Sequence, residues 1–354
     1  MNFWQQLPKP ILAVAPMADV TDAAFRRLIA KYSNWDERKN CVMWTEFVAA
    51  DGLMRATPEG REKLMADLIF TDEERPIVAQ LFTSNEEHME QAARLCAELG
   101  FDGIDINMGC PDRTIEKQGC GSAMIKTPDV AGRIIQAAKR GAGDLPVSVK
   151  TRIGYNEDEI DTWIPALLKE QPAALTVHLR TRKQMSKVPA QWEKLAQVVA
   201  LRDELSPETL VLGNGDVLSC EDAGAKGAAA GADGDIVGRP LFRNPWFFNP
   251  EKRLPTRLTA LPTHGVNRET IITEDTSDDS VAYVTLEERL KVLVEHTELF
   301  VELLPFKNFN VMKKHYKAYV NGFPGAAELR KELMEQNSPE AVKEVIEKFL
   351  AKHA

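Results

Sequence analysis

One cysteine of this chain directly follows an apolar run that predicts a buried strand. In the stretch Gly103–Asn107 isoleucines alternate with polar residues, and Gly109 and Pro111 then break the pattern. Cys110 is therefore predicted in the turn after a strand, which is where parallel barrels place their reactive groups. A thiol in that position can be a nucleophile, a metal ligand or a proton donor.

Two later loops carry residues suited to holding a phosphate. Glycines in the stretch 213–215 and at Gly238 let backbone N–H groups approach an anion closely, and Arg239 adds a planar cation that fits phosphate oxygens. Either loop alone is also typical of an ordinary turn. Both together, late in a β/α chain, favour a phosphate site.

Three polar side chains end other apolar runs. Lys150 ends one, and a cation buried there must face an anion or an electron-rich ligand, such as the charged edge of a reduced flavin ring. A salt bridge with Asp105 is the alternative. Gln80 and His178 can each hydrogen-bond a planar heterocycle, or can satisfy backbone groups within a core.

The runs that carry these groups alternate with helical patterns. They predict eight strands: 11–15, 41–47, 77–82, 103–107, 147–151, 175–178, 210–213 and 235–237. Clear helical periodicity is present at 86–99, with Asn85 or Ser84 as N-cap, and at 191–205. Eight β/α units predict an α/β fold with an eight-stranded parallel β/α (TIM) barrel. The alternative is an open doubly wound sheet, which the lack of a GxGxxG after the first strand disfavours.

The composition changes after Pro250. Residues 251–285 are polar without a clear period and predict a linker or insertion, and residues 286–354 are again helical. We therefore expect a catalytic barrel domain at 1–250, a linker or insertion at 251–285 and a small helical domain at 286–354.

Bulk composition excludes several classes of protein. The chain has 354 residues, 44% hydrophobic and 27% charged, without an apolar run long enough to span a membrane or a secretory h-region, so a cytoplasmic protein is expected. Its five cysteines lack CxxC or metal-like spacing, which predicts neither a disulfide framework nor a metal site. A net charge of −9 argues against general attraction to nucleic acid, although a local basic face is compatible with it.

Taken in order, the motifs resemble those of the tRNA-dihydrouridine synthase family. The matching segments are 15–17, 21–22 with 25–26, 107–111, 149–152, 178–182, 213–216, 234–239 and 244–246. Their order and spacing match over residues 11–248, and the tail is similar at 314–316 and 323–330. The resemblance implies FMN-dependent reduction of a uridine in tRNA to dihydrouridine, with NADPH as electron source.

The resemblance also implies a role for individual residues. The flavin ring would be lined by Pro16, Met17 and Ala18, and hydrogen-bonded by Gln80, Lys150 and His178; its ribityl chain and phosphate would be held by Asn214, Gly215, Asp216, Gly238 and Arg239. Asn107 would bind the uracil, Cys110 would donate the proton, and Arg152 and Arg180 would be further substrate contacts.

The residue types fit this chemistry. Reduction of the uracil double bond needs a hydride, which side chains do not supply, and a proton from the opposite face of the base. A thiol with a pKa near ~8.5 is still protonated at neutral pH and can deliver that proton. Lys150 and Arg152 can stabilise charge that develops on the uracil carbonyl. The target base has to leave its stack to reach a barrel mouth.

The tail carries a local excess of positive charge. Residues 305–354 contain nine Lys and Arg against six Asp and Glu. A phosphate-contacting face of Lys313, Lys314, His315, Lys317 and Arg330 is one interpretation, with Lys314 and Arg330 in segments similar to the family. On charge alone, a solvated helix surface is the simpler one.

The chain departs from the family pattern at three places. Met185–Pro189 precede Ala190 and Trp192 where the family usually has a Tyr and a Gly, so substrate placement near that loop is open. Cys120 is an extra thiol that can act as a competing acid or oxidise with Cys110. The segment 251–285 has no inferred role.

Three other functions remain compatible with these residues. One is an FMN barrel reductase of a free small molecule, which has no need of a basic helical module. Another is a flavin-retaining tRNA-binding protein without reductase activity, against which Cys110 and Lys150 argue. The third is a phosphate-sugar barrel enzyme without flavin, which would be colourless.

Overall fold

The computed structural model describes residues 2–255, 257–258, 271–272 and 282–353. Contacts within the chain divide the protein into two compact units. The first comprises the chain up to Asp22 together with Asp36–Arg239, and the second comprises Ala23–Trp35 and the chain from Pro240 onward. The domain limits expected at 250 and 285 remain predictions.

The first unit is built on a closed barrel. Among the described residues, eight strands pair in parallel in the order β1 to β8, and β1 closes the barrel against β8. The strands are β1 Ile11–Val14, β2 Cys41–Ala49, β3 Ile77–Phe82, β4 Gly103–Asn107, β5 Val147–Arg152, β6 Ala174–His178, β7 Leu210–Asn214 and β8 Gly234–Val237. The predicted TIM barrel is confirmed, each strand lies within two residues of its predicted limits, and the open-sheet alternative is wrong.

Helices follow most of the strands. Those of the first unit are α2 Ala50–Arg55, α3 Pro58–Ala66, α4 Glu86–Glu98, α5 Arg113–Glu116, α6 Pro128–Ala142, α7 Ile160–Leu168, α8 Leu195–Leu205 and α9 Cys220–Ala229. Helix α4 begins as predicted, because the Asn85 side chain accepts a hydrogen bond from the backbone N–H of His88 at 3.0 Å. The helix predicted from 191 starts as a 3₁₀ turn, Trp192–Lys194, before α8.

The barrel interior is filled by side chains. Trp4, from a 3₁₀ turn before β1, packs at 5.5 Å between ring centroids against Trp44 of β2, within a cluster that includes Ile11, Val78 and Leu212. Each buried tryptophan removes roughly 150–250 Å² from water. The barrel is therefore a packed core, and polar groups concentrate where the strands end.

Strand register decides which polar groups meet there. Asn107 at the end of β4 pairs with Lys150 of β5, and His178 of β6 pairs with both Arg152 and Asn214. Since these strands run in parallel, their carboxyl ends bring the predicted site residues to one mouth.

The second unit is helical. It contains α1 Ala23–Tyr32, α10 Leu286–Leu303, α11 Met312–Tyr319, α12 Ala326–Glu335 and α13 Pro339–His353. Helix α10 starts with a capping box between Thr285 and Glu288. Helix α1 packs within this unit, where Phe25 stacks on His296 of α10 with ring centroids 5.2 Å apart. The helices predicted after residue 286 are therefore present, and they pack with a helix from early in the chain.

Most of the predicted linker lies outside the described residues. At its ends Lys252–Arg253 pair in parallel with Ala282–Tyr283, and within it Arg257–Leu258 pair antiparallel with Ile271–Ile272. In the described ranges, no helix combines the length and apolarity that a membrane crossing requires.

Candidate active site at the barrel mouth

Lys150 brings a partly buried cation into the barrel mouth. Its Nζ donates to Asn214 Oδ1 at 3.2 Å, and in the described part of the chain no carboxylate lies within ion-pair distance of it. Burial, aided by the neighbouring Arg152, lowers the pKa of Lys150 to about 8. The alternative salt bridge with Asp105 is not formed, so Lys150 is left to face a ligand.

Asp105 is occupied by other partners. It accepts from Gln80 Nε2 and from Ser148 Oγ, each at 2.6 Å, and burial raises its pKa to about 6. The Gln80 carbonyl in turn accepts from Asn107 Nδ2 at 3.2 Å. Gln80 is 1% exposed. The structure therefore places Gln80 within a buried relay that ends at Asn107.

Asn107 shapes the turn that carries Cys110. Its Oδ1 accepts the backbone N–H of Gly109 at 3.2 Å and that of Cys110 at 3.0 Å. Gly109 packs tightly here, because an added Cβ would come within 3.1–3.3 Å of the Thr151 backbone, which would have to shift. Cys110 is half-buried and unpaired with another thiol, and burial raises its pKa. A thiol in this state is protonated at neutral pH and can act as an acid.

Cys120 lies close to the same turn but is fully buried. Its Sγ donates to the Gln118 carbonyl at 3.4 Å, and burial raises its pKa to about 11. It forms a small cluster with Phe82 and Ile115, against which Cys110 also packs. All five cysteines lie in described residues and none forms a disulfide. Of the two neighbouring thiols, Cys110 is the one with access to the mouth.

Arg152, predicted to contact substrate, is 7% exposed and already bonded. Its Nε donates to the Gly109 carbonyl at 2.7 Å, and one terminal nitrogen donates to the carbonyls of Thr181 at 3.3 Å and Met185 at 3.1 Å. Arg152 thus ties the Cys110 turn to the loop where the sequence departs from the family. Burial lowers its pKa to about 10, which leaves it charged at neutral pH.

Arg180 is likewise buried and bonded. It donates to the Val188 carbonyl at 2.6 Å and to His178 Nε2 at 3.1 Å, and it pairs with Asp216. Because a guanidinium only donates, His178 Nε2 must accept, and the ring proton lies on Nδ1. Burial and the surrounding cations, Arg152 first, hold the pKa of His178 well below 6.5. His178 is therefore neutral, with one N–H donor left for a ligand.

The phosphate-site residues meet around Asp216. Asp216 bridges Arg180 and the exposed Arg239, and hydrogen bonding to Arg180 lowers its pKa. Gly215 has a φ of +130°, and an added Cβ would lie 2.8 Å from the Ala190 Cβ, so only glycine fits there.

Residues after β1 border this loop. The Met17 sulfur lies 3.6 Å from the position that a Cβ on Gly238 would take, and the Met17 N–H donates to Thr21 Oγ1 at 2.8 Å. Pro16 is partly exposed and Ala18 is exposed. The structure therefore brings the predicted ring-lining residues and Gly238 to the same side of the mouth.

The predicted RNA-contacting residues lie in the helical unit. His315 is fully buried, so its place on an exposed basic face was wrong; it packs 4.5 Å from His296 between ring centroids. Arg330 donates to the Val320 carbonyl at 2.8 Å, which ties it to the end of α11. Lys314 is partly exposed and Lys317 is exposed. The helical spacing of His315 from the apolar residues Val311, Ala318 and Tyr319 is the sequence signal that distinguishes this buried side chain from the exposed lysines.

Sequence reasoning missed three residues next to the Cys110 turn. The Ser122 backbone N–H donates to the Cys110 carbonyl, Glu116 accepts from the Ser122 hydroxyl, and Arg182 pairs with Glu116. Arg182 lies in the family-like segment 178–182, but no role was predicted for it. No sequence motif indicates a role for Ser122 or Glu116. In the described ranges no group of three His, Cys, Asp or Glu side chains is arranged to hold a metal.

Comparison with known proteins identifies the family of the chain. A family model described as Dihydrouridine synthase (Dus) matches residues 13–354. A Staphylococcus aureus (strain COL) protein called probable tRNA-dihydrouridine synthase is 37% identical over 353 residues, covering 99% of this chain and 96% of that protein. A Bacillus subtilis (strain 168) protein called probable tRNA-dihydrouridine synthase 2 is 36% identical, with 99% and 98% covered.

A solved structure of a morphinone reductase mutant aligns over 67% of this chain and 85% of the reductase chain, at 13% sequence identity and a TM-score of 0.47. This similarity is too remote to bear on function. The family match rests instead on the sequence. With nearly the whole chain matched by the family model and by relatives above 30% identity, the chain belongs to the dihydrouridine synthase family.

Proposed function

We propose that this protein reduces uridine in tRNA to dihydrouridine in the cytoplasm, using bound FMN and electrons from NADPH. The observation that carries the proposal is the presence, at one barrel mouth, of a protonated Cys110 and a partly buried Lys150 that forms no salt bridge with any described residue. The names of the curated relatives support tRNA as the substrate.

The mouth fits a flavin mononucleotide. Lys150 and the Nδ1–H of His178 would donate to an acceptor-rich ring, and Lys150, Arg152, Arg180 and Arg239 give the mouth a positive potential. Gly215, Gly238 and the exposed Arg239 would hold the phosphate, with Arg239 exchanging its bond to Asp216 for one to phosphate oxygens. Asn214 and Asp216 would hold the ribityl chain. Bound FMN would supply the hydride that the side chains lack.

Cys110 would supply the proton. Its raised pKa keeps the thiol protonated at neutral pH, and the Asn107 and Arg152 contacts fix the turn that presents it. Asn107 Nδ2 has a second hydrogen beyond the one bonded to Gln80, and this would bind a uracil carbonyl. Arg152 bonds backbone carbonyls, and Arg180 bonds the Val188 carbonyl, His178 and Asp216, so both would act on the substrate through the charge and shape they give the mouth.

The remaining proposals concern tRNA. The target base must be unstacked to reach the strand ends, so a uridine in a loop is the expected substrate. Lys314 and Arg330 would contact phosphates from the helical domain, which we place at 286–354, after a barrel domain at 1–250 and an insertion at 251–285. Because Arg330 already holds a carbonyl, Lys314 should carry more of the salt dependence of binding.

Purification and complementation test the proposal together. The protein should be yellow, its extracted cofactor should have the mass of FMN, and NADPH should bleach the flavin while tRNA restores it. Expressed in a bacterial strain that lacks dihydrouridine, it should create dihydrouridine in tRNA, mapped by nucleoside mass spectrometry. Absence of new dihydrouridine overturns the synthase proposal. Reduction of free uridine with an efficiency equal to that of tRNA would favour a small-molecule reductase, and a colourless protein a barrel enzyme without flavin.

A further inference from the structure

The Cys110 carbonyl is held by a segment outside its own turn. The backbone N–H of Ser122 donates to it at 2.9 Å, and Ser122 Oγ lies 2.9 Å from the same oxygen and 3.0 Å from Glu116 Oε1. A hydroxyl has one hydrogen, and a carboxylate is the stronger acceptor. The Ser122 hydroxyl therefore donates to Glu116, while its N–H holds the Cys110 carbonyl.

Glu116 is itself fixed by a two-point ion pair. Arg182 Nε donates to Glu116 Oε1 at 2.8 Å, and a terminal nitrogen of the same guanidinium pairs with Oε2. Burial raises the pKa of Glu116, but the bonds from Arg182 and Ser122 lower it by more. The pKa of Glu116 therefore lies below its usual range. Glu116 is ionised at neutral pH, with a side chain only 10% exposed.

Arg182 connects this pair to two loops at the mouth. Its backbone N–H donates to the Gly154 carbonyl at 2.9 Å, after β5, and its guanidinium lies 5.4 Å from the Tyr155 ring centroid. Arg182 itself follows β6. Glu116 thus joins the Cys110 turn to the loops after β5 and β6, in addition to the link that Arg152 makes to the loop after β6.

The contact leaves little room for movement. Gly121 has a φ of +60°, and an added Cβ would lie 2.7 Å from the Cys110 carbonyl oxygen and 3.3 Å from the Cys110 Cβ. The segment around Ser122 therefore lies directly against the reactive residue, so a shift at Glu116 is transmitted to Cys110.

We propose that Glu116 is a positioning residue for Cys110: by pairing with Arg182 and accepting from Ser122, it holds the Ser122 backbone against the Cys110 carbonyl and fixes the thiol at the mouth. This inference rests on the proposed function, in which Cys110 must be held where its thiol can deliver a proton to the bound base. Glu116 itself touches no substrate.

Glu116→Gln and Glu116→Ala test the role with two readouts. Gln keeps the shape but places amide hydrogens against Arg182, whereas Ala removes all contacts. The first readout is iodoacetamide labelling of Cys110, followed by peptide mass spectrometry with Cys220 as internal reference. The second is steady-state reduction of tRNA. Glu90→Gln is the matched control, because Glu90 is likewise a helical glutamate held by arginine, in its case Arg140 and Arg94, away from the strand ends.

If Glu116 positions Cys110, both variants should label Cys110 at least about threefold faster than wild type, since the turn is released. kcat should fall about tenfold or more while KM for tRNA changes little, since the loss concerns acid catalysis. Glu90→Gln should match wild type in both readouts. Unchanged or slower Cys110 labelling overturns the inference, whether or not kcat falls. Because labelling needs no turnover, it decides the matter even if the protein reduces no tRNA, which would overturn only the proposed function. If Glu116→Ala does not fold, Glu116→Gln alone decides by the same criterion.

Discussion

The side-chain oxygen of Asn107 accepts a hydrogen bond from the backbone N–H of Cys110 at 3.0 Å. The same oxygen accepts from Gly109, and the amide nitrogen donates to Gln80. Asn107 therefore uses both ends of its amide to define the turn, so it serves the thiol as well as any bound base.

Asn107→Ala should damage both catalysis and folding. It leaves two backbone N–H groups and the Gln80 carbonyl without their partner, which should lower the free energy of unfolding by about 1–3 kcal/mol. Turnover should fall by about 10²-fold because the acid is displaced. Denaturant unfolding and tRNA reduction measure the two effects. Asn308→Ala is the control, since Asn308 caps an exposed turn in the helical unit; an equal loss of turnover there would show that the effect is not local.

Removing the Cys110 thiol should separate flavin binding from proton transfer. Cys110→Ala should keep its flavin spectrum and its reduction by NADPH, but lose turnover with tRNA by about 10²–10⁴-fold. Cys120→Ala should turn over close to wild type, because its thiol is buried and its pKa is about 11. Wild-type turnover in Cys110→Ala would transfer the acid role to Cys120 or water, and the double variant would tell these apart.

Lys150→Met should make the flavin-free protein more stable but weaken its binding of FMN. Burial lowers the pKa of Lys150 from 10.5 to about 8, so in flavin-free protein at pH 7 the buried charge is destabilising. The folded state binds this proton less tightly than the unfolded state, so the penalty is complete below pH 8 and is relieved as pH rises toward 10.5. The variant should raise the free energy of unfolding at pH 7 by about 1–3 kcal/mol while weakening FMN binding.

The deprotonation of Lys150 also predicts that FMN binding depends on pH. In the flavin-free wild type, FMN affinity should fall as pH rises through about 8, since Lys150 loses its charge there. Fluorescence titration with FMN measures both the weaker affinity of Lys150→Met and the pH dependence of affinity in the wild type. Lys139→Met is the matched control, because Lys139 is also a partly buried lysine with a lowered pKa but bonds the carbonyls of Glu170 and Gln171. A Lys150→Met protein that binds FMN like wild type would remove Lys150 from the flavin site.

The buried histidine His296 should make the helical unit sensitive to acid. Burial and the neighbouring His315 hold the pKa of His296 well below 6.5, so the folded state excludes a proton that the unfolded state binds. Stability is therefore complete above pH 6.5 and is lost as pH falls below it. His296→Phe, which preserves the stacking on Phe25, should reduce the loss of unfolding free energy between pH 7.5 and 5.5 by about 1 kcal/mol.

The sequence was a good guide where one physical rule dominates. Apolar runs bounded by glycine, proline or polar residues predicted all strands of the barrel, because a strand buried on both faces must be apolar. Parallel strands then bring their ends together, which is why Lys150 and Asn214 meet although 64 residues separate them. The local pattern was sufficient to predict α4 and its Asn85 cap.

Other features of the site depend on contacts that no local pattern shows. The family resemblance makes Arg152 and Arg180 substrate contacts, yet Arg152 bonds backbone carbonyls and Arg180 bonds the Val188 carbonyl, His178 and Asp216. The pairing of Glu116 with Arg182 joins segments 66 residues apart. A side chain's partner is set by tertiary packing, and an arginine that binds a phosphate has the same sequence signature as one that supports a loop.

Helix α1 carries a consequence for how this gene can evolve. It is encoded between the first two barrel strands, yet it buries Phe25 and Leu28 in the unit formed by the C-terminal helices. Recombination that exchanged only the tail would deprive α1 of the surface on which it folds. The two units must therefore be inherited together, and a change of tail requires matching changes in residues 23–35.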